Sequence, residues 1–333
     1  MISGLNKTWG AVLRGCGSAM VVAGLVACDT LGGFETGSVG PDDPPIVPVA
    51  TPTRAPQLRP TTPAPSAASE ELRIHFARVQ NDLLVQGLLR QDGGGIDTPY
   101  NDRMLTENFV RIALFDEYIS DINGLRAQTT ASSLRRWAEP VRISVEFGDS
   151  VPLHQRSQDA ANVTHYAARL GRVTGHPITV SDEAPNFNIL VLNEDDRAGF
   201  EPRLRELIPE IKPETIRTFM SLDRSTFCIV VAFAKQDEHT YSHAIALIRG
   251  EHPDLMRLAC IHEEMAQGLG LANDSPRARP SIFNDDEEFG LLTTHDEQLL
   301  KILYDPRLTP GMTEPEATPI VRQIASELLG GPA

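Results

Sequence analysis

The sequence predicts an α+β domain in which helices cover a mixed β-sheet. Apolar runs of strand length, such as residues 141–147 (VRISVEF) and 188–192 (NILVL), alternate along the chain with amphipathic segments of helical period. Two further apolar runs, 227–233 and 242–248, come shortly before a helical segment at 254–268. Strands interleaved with helices that must each bury one face favour a layered α+β architecture.

The start of the chain has the pattern of a signal peptide. Lys7 and Arg14 lie in a short segment without acidic residues, and an apolar run follows at 19–27. Because a membrane span needs about 20 apolar residues, this shorter run is more typical of a secretory signal than of a transmembrane helix. We therefore expect export to an oxidising compartment.

Residues 25–28, Leu-Val-Ala-Cys, resemble the bacterial lipobox. The resemblance implies that residues 1–28 are a lipoprotein signal peptide and that Cys28 becomes the lipidated first residue of the mature chain. Asp29 resembles the signal that retains such lipoproteins on the inner membrane. These features predict a protein of the bacterial cell envelope that faces the periplasm and has the membrane as a partner through its N-terminal lipid.

A tether rich in proline and threonine follows at residues 29–68, as in PDDPPIVPVATPTRAP. It has no apolar periodicity with which to bury a core and is typical of a disordered, stiff, polyproline-like chain. At about 3 Å per residue it would hold the domain up to roughly 100 Å from the membrane.

The formal net charge of the chain is −15, and it becomes −17 once the two cations Lys7 and Arg14 leave with the signal peptide. Such a charge repels nucleic acid and anionic membrane surfaces, so the sequence predicts no nucleic-acid partner. Lipid rather than electrostatic attraction must then hold the protein at the bilayer.

The folded part begins with a helical lead-in at residues 69–105. Apolar residues at helical spacing, beginning with Leu72, predict a helix over 69–91. Ser69 is predicted to cap it, and the three glycines at 93–95 are predicted to end it.

The main domain is predicted to span residues 106–333. Further helices are expected from Thr106 to about Ile122, over 157–174 and between residues 200 and 220. The apolar run at 242–248 is predicted to be an edge strand that can accept an added peptide strand.

Two polar clusters of this domain are predicted to be solvated. His239 and His243 have i, i+4 spacing, but they flank a turn, where that spacing does not place them on one face as a metal site would need. The acidic run at 285–288 lacks the alternating Asp or Asn and the Gly of an EF-hand loop.

Cysteine usage points to one disulfide. Cys16 leaves with the signal peptide and Cys28 carries lipid, so Cys228 and Cys260 remain for the folded part. In an oxidising compartment two remaining cysteines most simply form a disulfide, and buried free thiols are the alternative.

The segment 259–275, ACIHEEMAQGLGLANDS, nearly matches the zinc-binding helix HExxHxxGxxH. Aligning His262 with the first ligand misses the other two ligands and the glycine. Aligning Gly270 with the glycine instead places these residues at the five positions of the pattern: Glu263, Glu264, Gln267, Gly270 and Asn273. This alignment keeps the catalytic glutamate and the turn glycine but has no histidine at any ligand position.

Three neighbouring features resemble the metzincin zinc peptidases. Gly-Leu at 270–271 and Asn-Asp at 273–274 resemble their GLxHD sequence, and PSIF at 280–283 resembles the PSIM of their methionine turn. The segment 292–308 resembles the helix that closes many of their catalytic domains. The likeness is confined to residues 260–304.

The metzincin resemblance implies a zincin-like fold with Glu264 as the general base of any reaction. It also implies that Asp274 supports the cleft and that Phe283 fills the floor where those enzymes have a methionine. Gly270 is expected to reverse the chain after the helix.

The wider pattern of lipobox, EExxQxLGLxNDS, PSIFND and LYDPRLxPGM resembles a proteobacterial lipoprotein family. That family is classed only as a domain of unknown function, number twenty-nine twenty-seven. The resemblance covers residues 103–329 and implies no particular activity.

The substitutions at the ligand positions favour loss of peptidase chemistry. Glu263, Gln267 and Asn273 offer oxygen donors with one formal charge, a set that suits at most a weakly bound divalent cation, and no other cofactor is predicted. Without zinc the pKa of water stays far above the value of about 7 that zinc-bound water reaches, so Glu264 would have no potent nucleophile to prepare.

We expect one cleft to gather Glu263, Glu264, Gln267 and Asn273, with His262 at its rim, because i, i+1 and i+4 share a helical face. The predicted function is that of an envelope lipoprotein whose degenerate metallopeptidase-like domain binds a peptide or an envelope protein without cutting it. The alternative is an atypical metal-dependent hydrolase that uses Glu264.

Overall fold

The structure is a computed structural model that describes residues 64–121, 124–234, 239–284 and 286–330. The predicted signal peptide, Cys28 and almost all of the predicted tether lie outside the described residues. The helices are α1 (Ala67–Val85), α2 (Asp102–Ala113), α3 (Leu153–Thr174), α4 (Glu194–Arg197), α5 (Glu201–Leu207), α6 (Pro213–Met220), α7 (Asp254–Gln267), α8 (Thr294–Leu303) and α9 (Glu314–Leu328). The strands are β1 (Phe115–Asp121), β2 (Gly124–Ala131), β3 (Arg136–Trp137), β4 (Val141–Phe147), β5 (Ile178–Val180), β6 (Phe187–Leu192), β7 (Cys228–Ala234) and β8 (Thr240–Arg249).

In the main sheet β8, β6, β4 and β5 lie side by side in that order. β3 pairs with the first residues of β8 on the same side as β6, and β7 pairs with the opposite side of β8. Its neighbouring strands are parallel except for β7, which runs antiparallel to β8. β1 and β2 form a separate antiparallel hairpin that reaches α6. The predicted α+β class is therefore confirmed, with a mostly parallel sheet.

Helices cover both faces of the sheet, which explains why its central strands are apolar on both sides. Ala244, Ala246 and Ile248 of β8 lie in the core shared with α3 and α7. The alternate residues Ile245 and Leu247 lie in a second core with α5 and α6. Continuous apolar runs are typical of parallel strands buried on both faces. None of the described helices is long and apolar enough to cross a lipid bilayer.

The predicted helix from Thr106 to about Ile122 is wrong in its second half. α2 begins earlier, at Asp102, and ends at Ala113, after which β1 pairs with β2. The sequence carries Asn-Gly at 123–124, a strong hairpin signal, and β1 contains strand-favouring aromatic and β-branched residues. Cross-strand pairing therefore prevailed over helical periodicity.

α1 differs from its prediction at both ends. Ser66, not Ser69, is the N-cap and accepts a hydrogen bond from the Ser69 backbone. Ser69 is buried, and its hydroxyl donates to Glu251 at 2.8 Å, which attaches the helix to the domain. The helix ends at Val85, before the three glycines, because Gly87 adopts a left-handed φ of 77°.

The apolar run at 242–248 was predicted to be an edge strand, and this prediction is wrong. It forms β8, which has β6 and β3 on one side and β7 on the other. A strand that supplies apolar side chains to both cores is most stable in the sheet interior. Among the described residues, no strand pairs with the outer side of β7, so β7 holds the edge position.

A buried ion pair joins α7 to α3. The guanidinium of Arg257 donates to Asp159 at 2.9 Å, and the two side chains are only 3% and 1% exposed. Arg257 also donates to the His252 carbonyl at 2.5 Å and to Asp254 at 2.8 Å. A buried charge is tolerated only when it is paired. These contacts therefore fix the position at which α7 begins to pack along the sheet.

Replacing Asp159 with alanine should lower the free energy of unfolding by about 3–5 kcal/mol, because Arg257 would keep its charge in the interior without its main partner. Urea unfolding followed by circular dichroism measures this change. The matched control is Glu201→Ala, which breaks an ion pair with Arg205 whose side chains are 48% exposed, and it should cost less than about 1 kcal/mol. Equal losses in the two variants would contradict the assignment.

Candidate functional site

The motif helix and the edge strand form two walls of a cleft. Glu263, Glu264 and Gln267 of α7 line a cavity of about 220 Å³, as expected for residues that share one helical face. The opposite wall is β7, from Cys228 to Ala232. The structure therefore brings together three of the four residues that we expected in one cleft.

Carboxylates dominate this cavity. Glu264 is only 3% exposed and Glu263 is half-buried. Asp274, after the motif turn, also lines the cavity, and its carboxylate accepts a hydrogen bond from the Gln267 amide at 3.3 Å. Three acidic side chains thus face a small space beside the sheet edge.

A tyrosine and an ion pair complete the lining. Burial raises the pKa of Tyr241 to about 12, so its phenol is protonated at neutral pH. Asp116 and Arg135 form an ion pair that lines this cavity and also a second one of about 830 Å³. Ala234, at the end of β7, and His239 line the second cavity, so the two cavities follow the edge of the sheet.

Asn273 lies elsewhere. Its side-chain amide donates to the Arg111 carbonyl at 2.8 Å, and its backbone N–H donates to the Ile112 carbonyl at 3.1 Å. Both bonds satisfy orphan carbonyls at the C-terminus of α2. Asn273 is 2% exposed and does not line the cavity, so the expected convergence fails at this position because the amide caps a helix instead.

Gly270 makes the turn after α7. Its φ of 129° is rare for residues with a side chain, and a Cβ at this position would collide with the neighbouring backbone. The Trp137 indole donates to the Gly268 carbonyl at 2.8 Å, and the Tyr304 hydroxyl donates to the Leu269 carbonyl at 3.0 Å. These bonds hold the turn that returns Asp274 to the cavity.

Phe283 is fully buried in the same core as Ile261 and Met265 of α7, and it does not line the cavity. Asp296 at the start of α8 holds this loop, accepting hydrogen bonds from the Ser281 hydroxyl at 2.5 Å and from the backbone of the following residue. Phe283 therefore supports the motif helix from the core side.

His262 was expected at the rim of the cleft, and this expectation is wrong. The side chain is 8% exposed, its ring stacks on Tyr166 with centroids 3.9 Å apart, and Nδ1 accepts a hydrogen bond from the Leu292 backbone at 3.1 Å. Burial lowers the pKa of His262 to about 3, so the ring is neutral. Its position next to Glu263 turns it about 100° around the helix, away from the cleft.

The predicted disulfide between Cys228 and Cys260 is confirmed, with Cα atoms 5.9 Å apart. Cys260 is buried in α7, whereas Cys228 begins β7 and lines the cavity. The bond therefore connects the two walls of the cleft directly.

The donor set does not fit a catalytic zinc of the kind that the metzincin resemblance implies. Such an ion needs three side chains that converge with nitrogen or anionic donors. Here Asn273 is turned away to α2, and Gln267 contributes a neutral amide that bonds to Asp274.

The two other candidate clusters do not line the cavity of the motif helix. His239 bonds to the Ser133 hydroxyl at 2.8 Å, and His243 is exposed on β8. In the acidic run, Asp285 lies outside the described residues, and Glu288 forms ion pairs with Arg90 and Arg279.

Sequence reasoning missed the part of the site that comes from distant segments. Asp116 and Arg135 precede the motif helix by more than 100 residues, and no local pattern marks either of them. Tyr241 directly precedes the apolar run at 242–248, and no motif marks it. The position of β7 at the edge of the sheet depends on the strand order. Local periodicity does not encode strand order.

A family profile described as "Protein of unknown function (DUF2927)" matches residues 102–323. No curated protein matches the chain. No solved structure matches it either.

His262 alone should lower the free energy of unfolding by roughly 1 kcal/mol per pH unit as the pH drops from about 6.5 to about 4. His262 has a folded pKa of about 3 and an unfolded pKa of about 6.5, so in this range the unfolded chain binds more protons and acid favours unfolding. Burial also holds the pKa of His252 well below its usual value, which acts in the same direction.

Urea unfolding between about pH 7.5 and pH 4 measures this slope. His262→Gln, whose amide can still accept the Leu292 hydrogen bond, should reduce the slope. The control His165→Gln replaces an exposed histidine of α3 and should leave it unchanged. An undiminished slope in His262→Gln would show that this ring is not the proton acceptor.

Proposed function

The chain belongs to the DUF2927 family of proteins of unknown function, and because that membership supplies no activity, we propose from the site alone that this domain binds extended peptide segments without cutting them. This proposal rests mainly on β7. Its outer side pairs with no strand among the described residues and borders the cavity of the motif helix. A peptide that adds to a sheet edge gains main-chain hydrogen bonds, and pockets beside the edge select its side chains.

The dimensions of the cleft suit such a ligand. β7 has seven residues, which span about 23 Å at roughly 3.3 Å per residue. Both cavities described above lie beside this strand, separated by the Asp116–Arg135 ion pair. In an added strand of about seven residues, every second side chain would point toward the side on which the two cavities lie.

The charge of the first cavity defines the chemistry of the ligand. Glu263, Glu264 and Asp274 supply carboxylates within a space bounded by sheet and helix. A cationic side chain is the complementary occupant, since charge-assisted hydrogen bonds to carboxylates are stronger than neutral ones. We infer that the bound segment carries a lysine or arginine opposite this cavity.

The same residues argue against cleavage. Glu264 is positioned where the resemblance places a general base, but the donors around it do not assemble a zinc site that would lower the pKa of a bound water. The atypical hydrolase stays the alternative, to be decided by whether bound peptides are cut.

The N-terminal features support a location of this binding domain in the cell envelope. The lipobox resemblance at Cys28 and the proline-rich tether support a lipid-anchored protein that presents its cleft to periplasmic peptides or proteins. Asp29 supports retention on the inner membrane. The acidic net charge disfavours nucleic acid as a partner.

A random library of nine-residue peptides should yield ligands that alternate in polarity and carry lysine or arginine at one position. N-methylation of the ligand backbone, one residue at a time, should weaken binding at every second position, because a strand directs alternate N–H groups toward its partner. Isothermal titration calorimetry measures both effects. A loss without the two-residue period would contradict strand addition.

The double variant Glu263→Gln/Glu264→Gln should weaken a lysine-containing ligand at least about tenfold, since hydrogen bonds to charged groups contribute about 1.5–3 kcal/mol. Glu70→Gln, an exposed acid of α1, is the matched control and should bind normally. Mass spectrometry of the same peptides tests cutting. Cleavage that disappears in Glu264→Gln would replace the binding role with the hydrolase alternative.

Cells that produce the full chain should incorporate labelled fatty acid into it, and Cys28→Ser should abolish the label and release the protein from membranes. Cys16→Ser is the matched control, because this cysteine precedes the lipobox and should not affect lipidation. Labelling that survives in Cys28→Ser would exclude this residue as the anchor.

A further inference from the structure

The cleft contains one set of potential metal ligands, and the disulfide occupies one member of this set. The sulfur of Cys228 and one carboxylate oxygen from each of Glu263 and Glu264 all lie within 4.8 Å of one another. Cys228 and Glu263 are half-buried and Glu264 is buried. Among the residues that the structure describes, this is the group of histidine, cysteine and acidic side chains that comes close enough to hold a metal ion.

The disulfide withholds the strongest of these three donors. Cysteine binds a metal ion as a thiolate, and a sulfur in a disulfide does not serve as this ligand. With Cys228 bonded to Cys260, the cavity offers only carboxylate and amide oxygens. Oxygen donors of this kind suit hard ions such as calcium or magnesium, whereas an added thiolate selects zinc.

We propose that reduction of the Cys228–Cys260 disulfide turns this cleft into a binding site for zinc or a zinc-like divalent cation. A dithiol supplies two electrons and two protons, which convert the disulfide into two thiols while the dithiol becomes a disulfide. The Cys228 thiol then releases its proton to water as its sulfur binds the ion, and one oxygen each from Glu263 and Glu264 completes a three-donor set.

The geometry needs only a small adjustment. Ligands at about 2.0–2.3 Å from a tetrahedral zinc lie roughly 3.3–3.8 Å apart, slightly closer than in the oxidised cleft. Breaking the bond to Cys260 frees rotation of the Cys228 side chain, which already faces the cavity. The fourth position is left to water or to another oxygen of the cleft.

The two cysteines are not equivalent, and this difference makes the inference testable. Cys260 is 3% exposed and lies beside the buried His252, with sulfur and Nδ1 3.9 Å apart. Only Cys228 lines the cavity with the carboxylates. Cys260→Ser therefore leaves a free thiol at the proposed site, whereas Cys228→Ser leaves one outside it, although both variants lose the same crosslink.

The full chain carrying Cys16→Ser and Cys28→Ser provides a background in which only these two cysteines remain. Cobalt(II) serves as the probe, because a thiolate ligand produces a charge-transfer absorption that oxygen ligands do not. Without reductant, Cys260→Ser should show this band and bind cobalt and zinc at least about tenfold more tightly than Cys228→Ser, since it alone adds a soft donor at the site. Circular dichroism and urea midpoints verify that both variants are equally folded.

The background chain, with both cysteines present, supplies the second arm. It should lack the band when oxidised, gain it after reduction by a phosphine, and lose it again in Glu263→Gln/Glu264→Gln. Equal binding by the two single-cysteine variants, a band in neither Cys260→Ser nor the reduced chain, or equally tight zinc binding before and after reduction would overturn the proposal. These titrations test the metal site independently of whether peptides bind the cleft.

Discussion

The Cys228–Cys260 disulfide joins the edge strand to the motif helix, and the geometry of the cleft depends on this connection. The bonded residues are 32 positions apart in the chain, and closing such a loop contributes about 3–4 kcal/mol in the chain-entropy model. Without a covalent link, an edge strand held by one neighbour could separate from α7 more easily than a central strand. The crosslink therefore stabilises the fold and limits how far the cleft can open.

The motif residues divide between the cleft and the interior. Glu263, Glu264 and Gln267 line the cavity, whereas His262 stacks on Tyr166 in the core and Asn273 caps α2. A helix that packs against a sheet must bury most of its surface, so consecutive residues necessarily serve different roles. Several positions of the motif segment therefore hold the fold, and only part of the segment faces the cavity.

Clustered carboxylates define the chemistry of the cleft. Acidic groups close together in a partly buried space repel one another, and a bound cation relieves that repulsion. A peptide lysine or arginine and a divalent ion are both cations of this kind, so they would compete for the same oxygens. The redox state of Cys228 would then determine which ligand the cleft prefers, through the softness of the donor that it adds.

The α+β class, the four longer strands of the main sheet (β4, β6, β7 and β8), the motif helix and the cysteine pair could be predicted from residue patterns, because periodicity, composition and counting are properties of short segments or of the whole chain. The short strands β3 and β5 were not predicted. The hairpin of β1 and β2, the edge position of β7, and the meeting of Asp116 with Arg135 could not be predicted. The strand order depends on which strands bury apolar side chains on both faces of the sheet. The strands that flank β8 come from distant segments, and local patterns do not connect these segments. For the same reason the pattern placed Asn273 and His262 in the cleft, whereas long-range packing against α2 and α3 directs them into the interior.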